Sequence, residues 1–272
     1  MRAAPITVGR LHRGETELPI RAAINYAART EFRQRYYAND HSRDTVVVAA
    51  QVMPLSSGRG IESTLDQAGF VLTNHVSQVA DFTVASNVTA VHPTEIIALV
   101  RENSGADSVI VTGPGILRFS ESSANAGRLD NSMPARFAHV DMSARTAEEF
   151  ARNALPEGRT LRRYAHFNVW RSFSGPPQDV PLALCDARSV ATQDLLVADA
   201  IFDEPDRPEW SFESWLLAHN PAHRWHWFPD MTRDEVLIFK TSDSAHANPV
   251  PHVAFDNPLA PVGCDPVDHS GE

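Results

Sequence analysis

The residues best suited to chemistry are His139, Val140 and Asp141, in the stretch 133–143. Alternate side chains of an extended strand share a face, so His139 and Asp141 project together and Val140 points away. An imidazole and a carboxylate on one face can grip a single divalent metal, and a third ligand must then arrive from elsewhere. His252, in Pro-His-Val-Ala-Phe-Asp-Asn-Pro, is the candidate. Two histidines and one carboxylate leave coordination positions open, an arrangement suited to iron(II) and oxygen chemistry. His and Asp are both frequent in this chain, so one His-x-Asp triplet is close to what chance supplies. Alone, the triplet fits equally well a half-buried strand with a satisfied His and a surface Asp.

The elements that must hold these residues are mainly strands. Residues 1–21 are poorly patterned, and 22–37 carry good helix formers with no breaker, which predicts an N-terminal arm and helix within 1–44. The β-branched run 45–55 predicts a strand, with a second, short one at 69–72. His92-Pro93-Thr94-Glu95 predicts a helix start, with an apolar stripe to Asn103 and Gly105 as the stop. A strand interrupted by Gly-Pro-Gly is expected over 108–119. The small polar stretch 121–132 then reads as a surface loop or a lid, and 144–155 as a helix.

From residue 162 onward the pattern turns strongly to strand, at 162–173, 180–190, 194–202, 212–219, 225–228 and 235–242, with turn residues between. That spacing suits an antiparallel sandwich or barrel. No repeat or linker divides the chain. The expectation is one domain over 1–272, its β-rich core with packed helices spanning 45–272.

Composition excludes several functions. The formal net charge is −10 and the basic residues are scattered, which argues against nucleic acid or an anionic membrane as partner. No apolar run is long enough to span a bilayer, and the amino terminus lacks the apolar core of a signal peptide. Two cysteines, Cys185 and Cys264, show no CxxC spacing, so a reducing, cytoplasmic setting is expected. Cys185, in an apolar strand, reads as an inert buried thiol. His223 and His226 fall on opposite faces of an extended segment, so they and His219 are assigned structural or pocket roles, as is His166. Asp186 and Arg188 are expected to form a structural ion pair.

The blocks NVWRSFSGPPQDVPLALCDARSV, NPAHRWHWFPDMTRDEVLIFKTSDS and PHVAFDNPLAP closely resemble one oxygenase family. It includes the hydroxylating subunit of the bacterial 7α-cephem-methoxylase of cephamycin biosynthesis and the fungal gibberellin GA4 desaturase. The resemblance implies a mainly β, double-stranded β-helix (jelly-roll) core. It implies Fe(II) held by His139, Asp141 and His252, 2-oxoglutarate as co-substrate and O2 as oxidant. Such enzymes usually hold the 2-oxoglutarate carboxylate with an Arg after the distal His, but this chain has no Arg or Lys beyond Lys240. Arg171 and Arg224 are therefore the candidates, since a guanidinium can meet a carboxylate bidentately.

The function so implied is an Fe(II)/2-oxoglutarate oxygenase of secondary metabolism. Its most specific form is 7α-hydroxylation of a cephalosporin in antibiotic biosynthesis, beside a methyltransferase partner. The Ala- and Arg-rich, Lys-poor composition suits that bacterial member. The alternatives are a related hydroxylase, desaturase or cyclase on another natural-product scaffold, a non-catalytic binding subunit of a methyltransferase complex, and a Zn hydrolase.

Overall fold

The computed structural model describes residues 18–113, 115–246, 249–261 and 268–271. Its strands are β1 (Ile20–Ala27), β2 (Gln34–Tyr37), β3 (Val48–Ser57), β4 (Phe70–Asn74), β5 (Ile116–Phe119), β6 (His139–Val140) and β7 (Ala165–Ser172). They continue as β8 (Leu182–Cys185), β9 (Leu195–Phe202), β10 (Trp210–Leu217), β11 (Trp225–Trp227), β12 (Glu235–Asp243), β13 (His252–Ala254) and β14 (Asp268–Gly271). Two helices, α1 (Ala85–Ser104) and α2 (Ala144–Ala154), flank them.

The strands form a jelly roll. One sheet has the order β1-β3-β11-β8-β13-β6-β10-β9-β2, the other β4-β12-β7-β14-β5. Between them Phe70, Trp170, Leu237 and Phe239 of the smaller sheet pack on Leu182 and Leu184 of the larger. Val169, Val236 and Ile238 leave the opposite face of the smaller sheet and meet Ile96, Leu99 and Val100 of α1. Strands β7 and β12 are thus covered on both faces, which is why they read as nearly continuous apolar runs. The large sheet curls until β1 touches the segment leading into β6. The Ala138 N–H donates to the Asn25 carbonyl at 2.8 Å, and the Asn25 amide donates to the Arg136 carbonyl at 2.7 Å.

The amino-terminal helix expected over 22–37 is not formed. Ile20–Ala27 and Gln34–Tyr37 are strands instead. Residues 20–27 bury Ala22, Ile24 and Tyr26 at every second position, and this period of two overrides helix-favouring composition. Most of the expected arm, 1–17, lies outside the described residues. Helix α1 starts at Ala85, before the predicted start, and runs through Pro93. Val88 and Val91 of the added turns pack with Val79, Phe82, Leu117 and Phe173, and this burial accommodates the proline. Gly105, at φ 69°, ends the helix as expected.

Among the described residues of the 108–119 run, Ile116–Phe119 form the strand. The run 180–190 gives β8 and then a helical turn at Ala187–Ser189. The polar loop after β5 is tied down: Ser120 and Ser122 donate to Asp179, and Arg118 donates to the Asn131 and Met133 carbonyls. Cys185 is fully buried and its thiol is pushed up to about 12 by burial, while Cys264 lies outside the described residues. Among the described residues no helix is long and apolar enough to cross a membrane.

Burial also lowers the pKa of His92, His166, His223 and His226, so the folded chain favours their neutral forms. An unfolded imidazole takes up its proton near pH 6.5, at which point the folded ones still resist it. Stability carried by these rings is therefore complete above about pH 6.5 and falls as pH drops below it. Urea unfolding at pH 8, 7, 6 and 5 should show equal midpoints at pH 8 and 7 and a lower one at each acid step.

Candidate metal centre

Strand β6 lies between β13 and β10, and in this register His139 faces His252 on one side and Leu216 on the other. Directly opposed residues share a face, so the two imidazoles stand side by side with ring centroids 4.3 Å apart. Asp141 follows the two-residue strand immediately. The turn after it is fixed by Ser143, whose hydroxyl caps α2 by accepting from the Thr146 N–H at 3.2 Å. Strand, turn and capped helix together hold the carboxylate beside both rings.

Each ring has one nitrogen turned to the backbone. His139 Nδ1 lies 3.0 Å from the Phe137 carbonyl and His252 Nδ1 lies 3.4 Å from the Val250 carbonyl. Carbonyls only accept, which assigns the proton to Nδ1 and leaves both Nε2 lone pairs facing inward. Those atoms are 3.5 and 3.4 Å from the same oxygen, Asp141 Oδ1. The other oxygen, Oδ2, accepts from Asn168 Nδ2 at 2.9 Å. Asn168 is on β7, so this hydrogen bond crosses from the smaller sheet to the larger one.

The protonation states suit a cation. Burial, and then the neighbouring His252, lower the pKa of His139 and favour its neutral form. Burial alone would raise Asp141, but the two adjacent imidazoles outweigh it and hold the carboxyl well below its usual range. A neutral His139 and an ionised Asp141 thus stand beside His252, with all three donors within 4.8 Å of one another. Two ligands sharing an ion at about 2.0–2.2 Å must lie within roughly 4.4 Å of each other, and both His–Asp separations satisfy that limit. The residues fit a divalent metal. Asn168 acts by fixing which carboxylate oxygen faces the imidazoles, so Asn168→Leu should weaken Co(II) binding about 10–100-fold in a calorimetric titration.

The triad opens into a cavity of about 2470 Å³ that continues into grooves running to the surface. Tyr36, Phe137, His166, Phe239 and Thr241 are among its lining. Thr241 sits at a register shift between β12 and β7, and its buried hydroxyl has no hydrogen-bond partner among the described residues. Such a bulge takes a side chain out of the ladder, a device common beside active sites.

Neither arginine proposed for the co-substrate reaches this cavity. Arg171 is three residues beyond Asn168 on β7, an odd offset that sends it to the opposite face. There it donates to the His75 and Arg233 carbonyls at 3.3 and 3.1 Å and to His75 Nδ1 at 2.9 Å. Arg224 is held by Asp186 at 3.1 Å, and Arg188 binds the same carboxylate at 2.7 Å. The expected Asp186–Arg188 ion pair is therefore present.

His223 and His226 make structural contacts. His223 Nε2 lies 3.2 Å from Asp194 Oδ2 and its Nδ1 lies 3.2 Å from the Tyr26 hydroxyl, which also accepts from Trp225 Nε1 at 2.7 Å. His226 packs on Phe70 instead. A second acidic group, Asp66, Asp243 and His246, is neutralised by Lys240 and Arg163. Sequence reasoning missed Asn168 and Tyr36. Asn168 was signalled by its place two residues after His166 on a strand face, but Tyr36 fell in the stretch read as helix.

Comparison with known proteins agrees with this geometry. The family model described as "Oxidoreductase/YMDC permease-like domain" matches residues 23–267. The hydroxylase/desaturase efuI of Hormonema carpetanum is 30% identical over 217 residues, 71% of this chain and 72% of the relative. The Fe(II)/2-oxoglutarate-dependent dioxygenase nvfI of Aspergillus novofumigatus is 31% identical over 177 residues, 63% of this chain and 60% of the relative. A solved structure of the iron and alpha-ketoglutarate-dependent endoperoxidase NvfI superposes with a TM-score of 0.78 at 20% identity, covering 95% of this chain and 97% of that one. The jelly roll expected from sequence is shared by that structure. With a family match over most of its length and relatives of this kind, the chain belongs to the oxidoreductase family that contains these fungal hydroxylase/desaturase enzymes.

Proposed function

We propose that this protein is a non-haem Fe(II)/2-oxoglutarate-dependent oxygenase that hydroxylates or desaturates a small natural product. The observation carrying this reading is the pair of Nε2 atoms, 3.5 and 3.4 Å from one oxygen of Asp141, in the lining of a large cavity. His139, Asp141 and His252 would hold the metal on one side and leave the cavity side for co-substrate and O2. When bound, iron(II) would activate O2, the oxidant, with 2-oxoglutarate as the two-electron co-reductant, and so supply the power to take hydrogen from an unactivated C–H bond.

The chain's own residues set the conditions for that chemistry. The Phe137 and Val250 carbonyls orient the rings, Asn168 orients the carboxylate, and Phe239, 4.9 Å from the His252 ring, keeps water from one side. With Arg171 and Arg224 engaged elsewhere, the co-substrate carboxylate falls to groups lining the cavity, and the Thr241 hydroxyl offers one donor there.

The test is anaerobic addition of Fe(II) and 2-oxoglutarate. An absorption band from the co-substrate bound to iron, and succinate release on admitting O2, are expected. Neither signal would appear in a binding subunit or a Zn hydrolase. Cephalosporin 7α-hydroxylation with a methyltransferase partner is the narrower form of the proposal and rests on the sequence resemblance alone. Cephalosporin C therefore belongs in the substrate panel beside polycyclic terpenoid and polyketide scaffolds.

A further inference from the structure

Four aromatic side chains form a continuous wall on the cavity, away from the triad. Phe202 and Trp210 are stacked, with ring centroids 4.4 Å apart and planes at 17°. Phe212 lies 5.3 Å from Phe202, and Phe150 of α2 meets Phe212 edge-on at 5.2 Å. All four line the same cavity as His139, Asp141 and His252. Trp210 is 50% exposed, and the other three are only partly buried. Aromatic clusters of this kind inside a core would be closed off, whereas this one faces open space.

The sheet register connects the wall to the metal site. Leu216 is opposite His139, so Leu216, Ser214, Phe212 and Trp210 share the face of that histidine. Pairing of β10 with β9 places Phe202 opposite Trp210 and Ala200 opposite Phe212, and β2 adds Tyr36 opposite Ala200. Along β9 and β10 the surface between triad and wall is Ala198, Ala200, Ser214 and Leu216, none of them ionisable, and the charged residues beside Phe202 and Trp210, Glu204 and Arg207, pair with each other at 2.7 Å. At about 3.3 Å per residue, Phe212 stands roughly 13 Å and Trp210 roughly 20 Å along β10 from the level of His139. A molecule that reaches from the triad to the wall must be long, and its far end must be flat and apolar.

We propose that Phe202, Trp210 and Phe212, with Phe150, form the recognition surface for a rigid, uncharged polycyclic scaffold whose opposite end lies at the triad. This rests on the oxygenase reading and names the substrate class for that site. It also separates candidates. The charged side chain of cephalosporin C would meet a wall of rings, whereas a tetracyclic hydrocarbon skeleton would stack on it.

The experiment uses the full-length, metal-free chain with progesterone as the tetracyclic probe, measured by equilibrium dialysis, and Co(II) titration on the same preparations. The wild type is expected to bind progesterone saturably and more tightly than cephalosporin C. Trp210→Ala and Phe212→Ala should each weaken it about tenfold or more. Val52→Ala, which alters an exposed apolar residue outside the cavity, should not weaken it. Normal Co(II) affinity in the wall variants shows that they are folded. Should Phe212→Ala fail that check, the half-exposed Trp210→Ala decides. Unchanged progesterone binding in a folded wall variant, no saturable binding in the wild type, or preference for cephalosporin C overturns the proposal. Loss of Co(II) binding by the wild type would instead sink the oxygenase reading and leave the dialysis result standing.

Discussion

Asp141→Ala is expected to remove metal binding and turnover together while leaving the fold intact. Among the described residues, the Asp141 carboxylate is the one anionic donor between two imidazoles whose Nε2 atoms both face its Oδ1. Without it, no negative charge remains to balance a divalent ion, and Nε2 of each ring faces an unfilled gap. The loss of affinity should exceed the roughly 100-fold that removal of an outer hydrogen-bond partner causes. The structural cost is small by comparison, because Asp141 contributes side-chain contacts to His139, His252 and Asn168. One buried amide left unpaired costs about 1–3 kcal/mol. Metal analysis, succinate release and circular dichroism on one preparation check all three parts. His139→Ala should behave the same way. Stoichiometric iron or retained turnover in either variant would show that other ligands hold the metal.

Trp225→Ala carries the largest expected effect on stability. The side chain is 1% exposed and packs with Ile24, Leu55, Cys185 and Phe255 in the cluster beneath the large sheet. Its Nε1 donates to the Tyr26 hydroxyl, the same oxygen that lies 3.2 Å from His223 Nδ1. Removing it leaves a void and a weakened polar network, at a cost of about 3–5 kcal/mol. That is a large part of the roughly 5–15 kcal/mol that holds a typical domain folded. Trp225→Phe keeps most of the volume and should cost less than half as much. The urea midpoint measures both. Because Trp225 does not line the cavity, the folded fraction of either variant should bind Co(II) normally.

The parts of this architecture that could be read from sequence were those whose signal is local. Strands β7 to β12 carry runs of β-branched and aromatic residues bounded by turns, and they appear close to where the pattern places them. The period of two put His139 and Asp141 on one face, and the family resemblance supplied His252, which the sheet brings opposite His139. The misread parts depend on partners distant in sequence. Residues 22–37 have helix-forming composition, yet Asn25 is claimed by the carbonyl of Arg136 and β1 pairs with β3. Arg171 looked available as a cation near the site, but the strand parity that brings Asn168 inward turns Arg171 outward onto His75. Asn168 itself could not be assigned until β7 was known to lie across from the triad.

The place of β13 has a consequence for how the protein is made. Three residues, His252–Ala254, fill a slot in the middle of the nine-stranded sheet, between β8 and β6. That slot stays open until Ala254 has been synthesised, so strands born much earlier must wait for a late arrival. Pairings so distant in sequence form slowly, because the intervening chain must first be ordered. A nascent chain arrested before Val250 would therefore expose two unpaired inner strand edges, prone to aggregate and unable to capture iron.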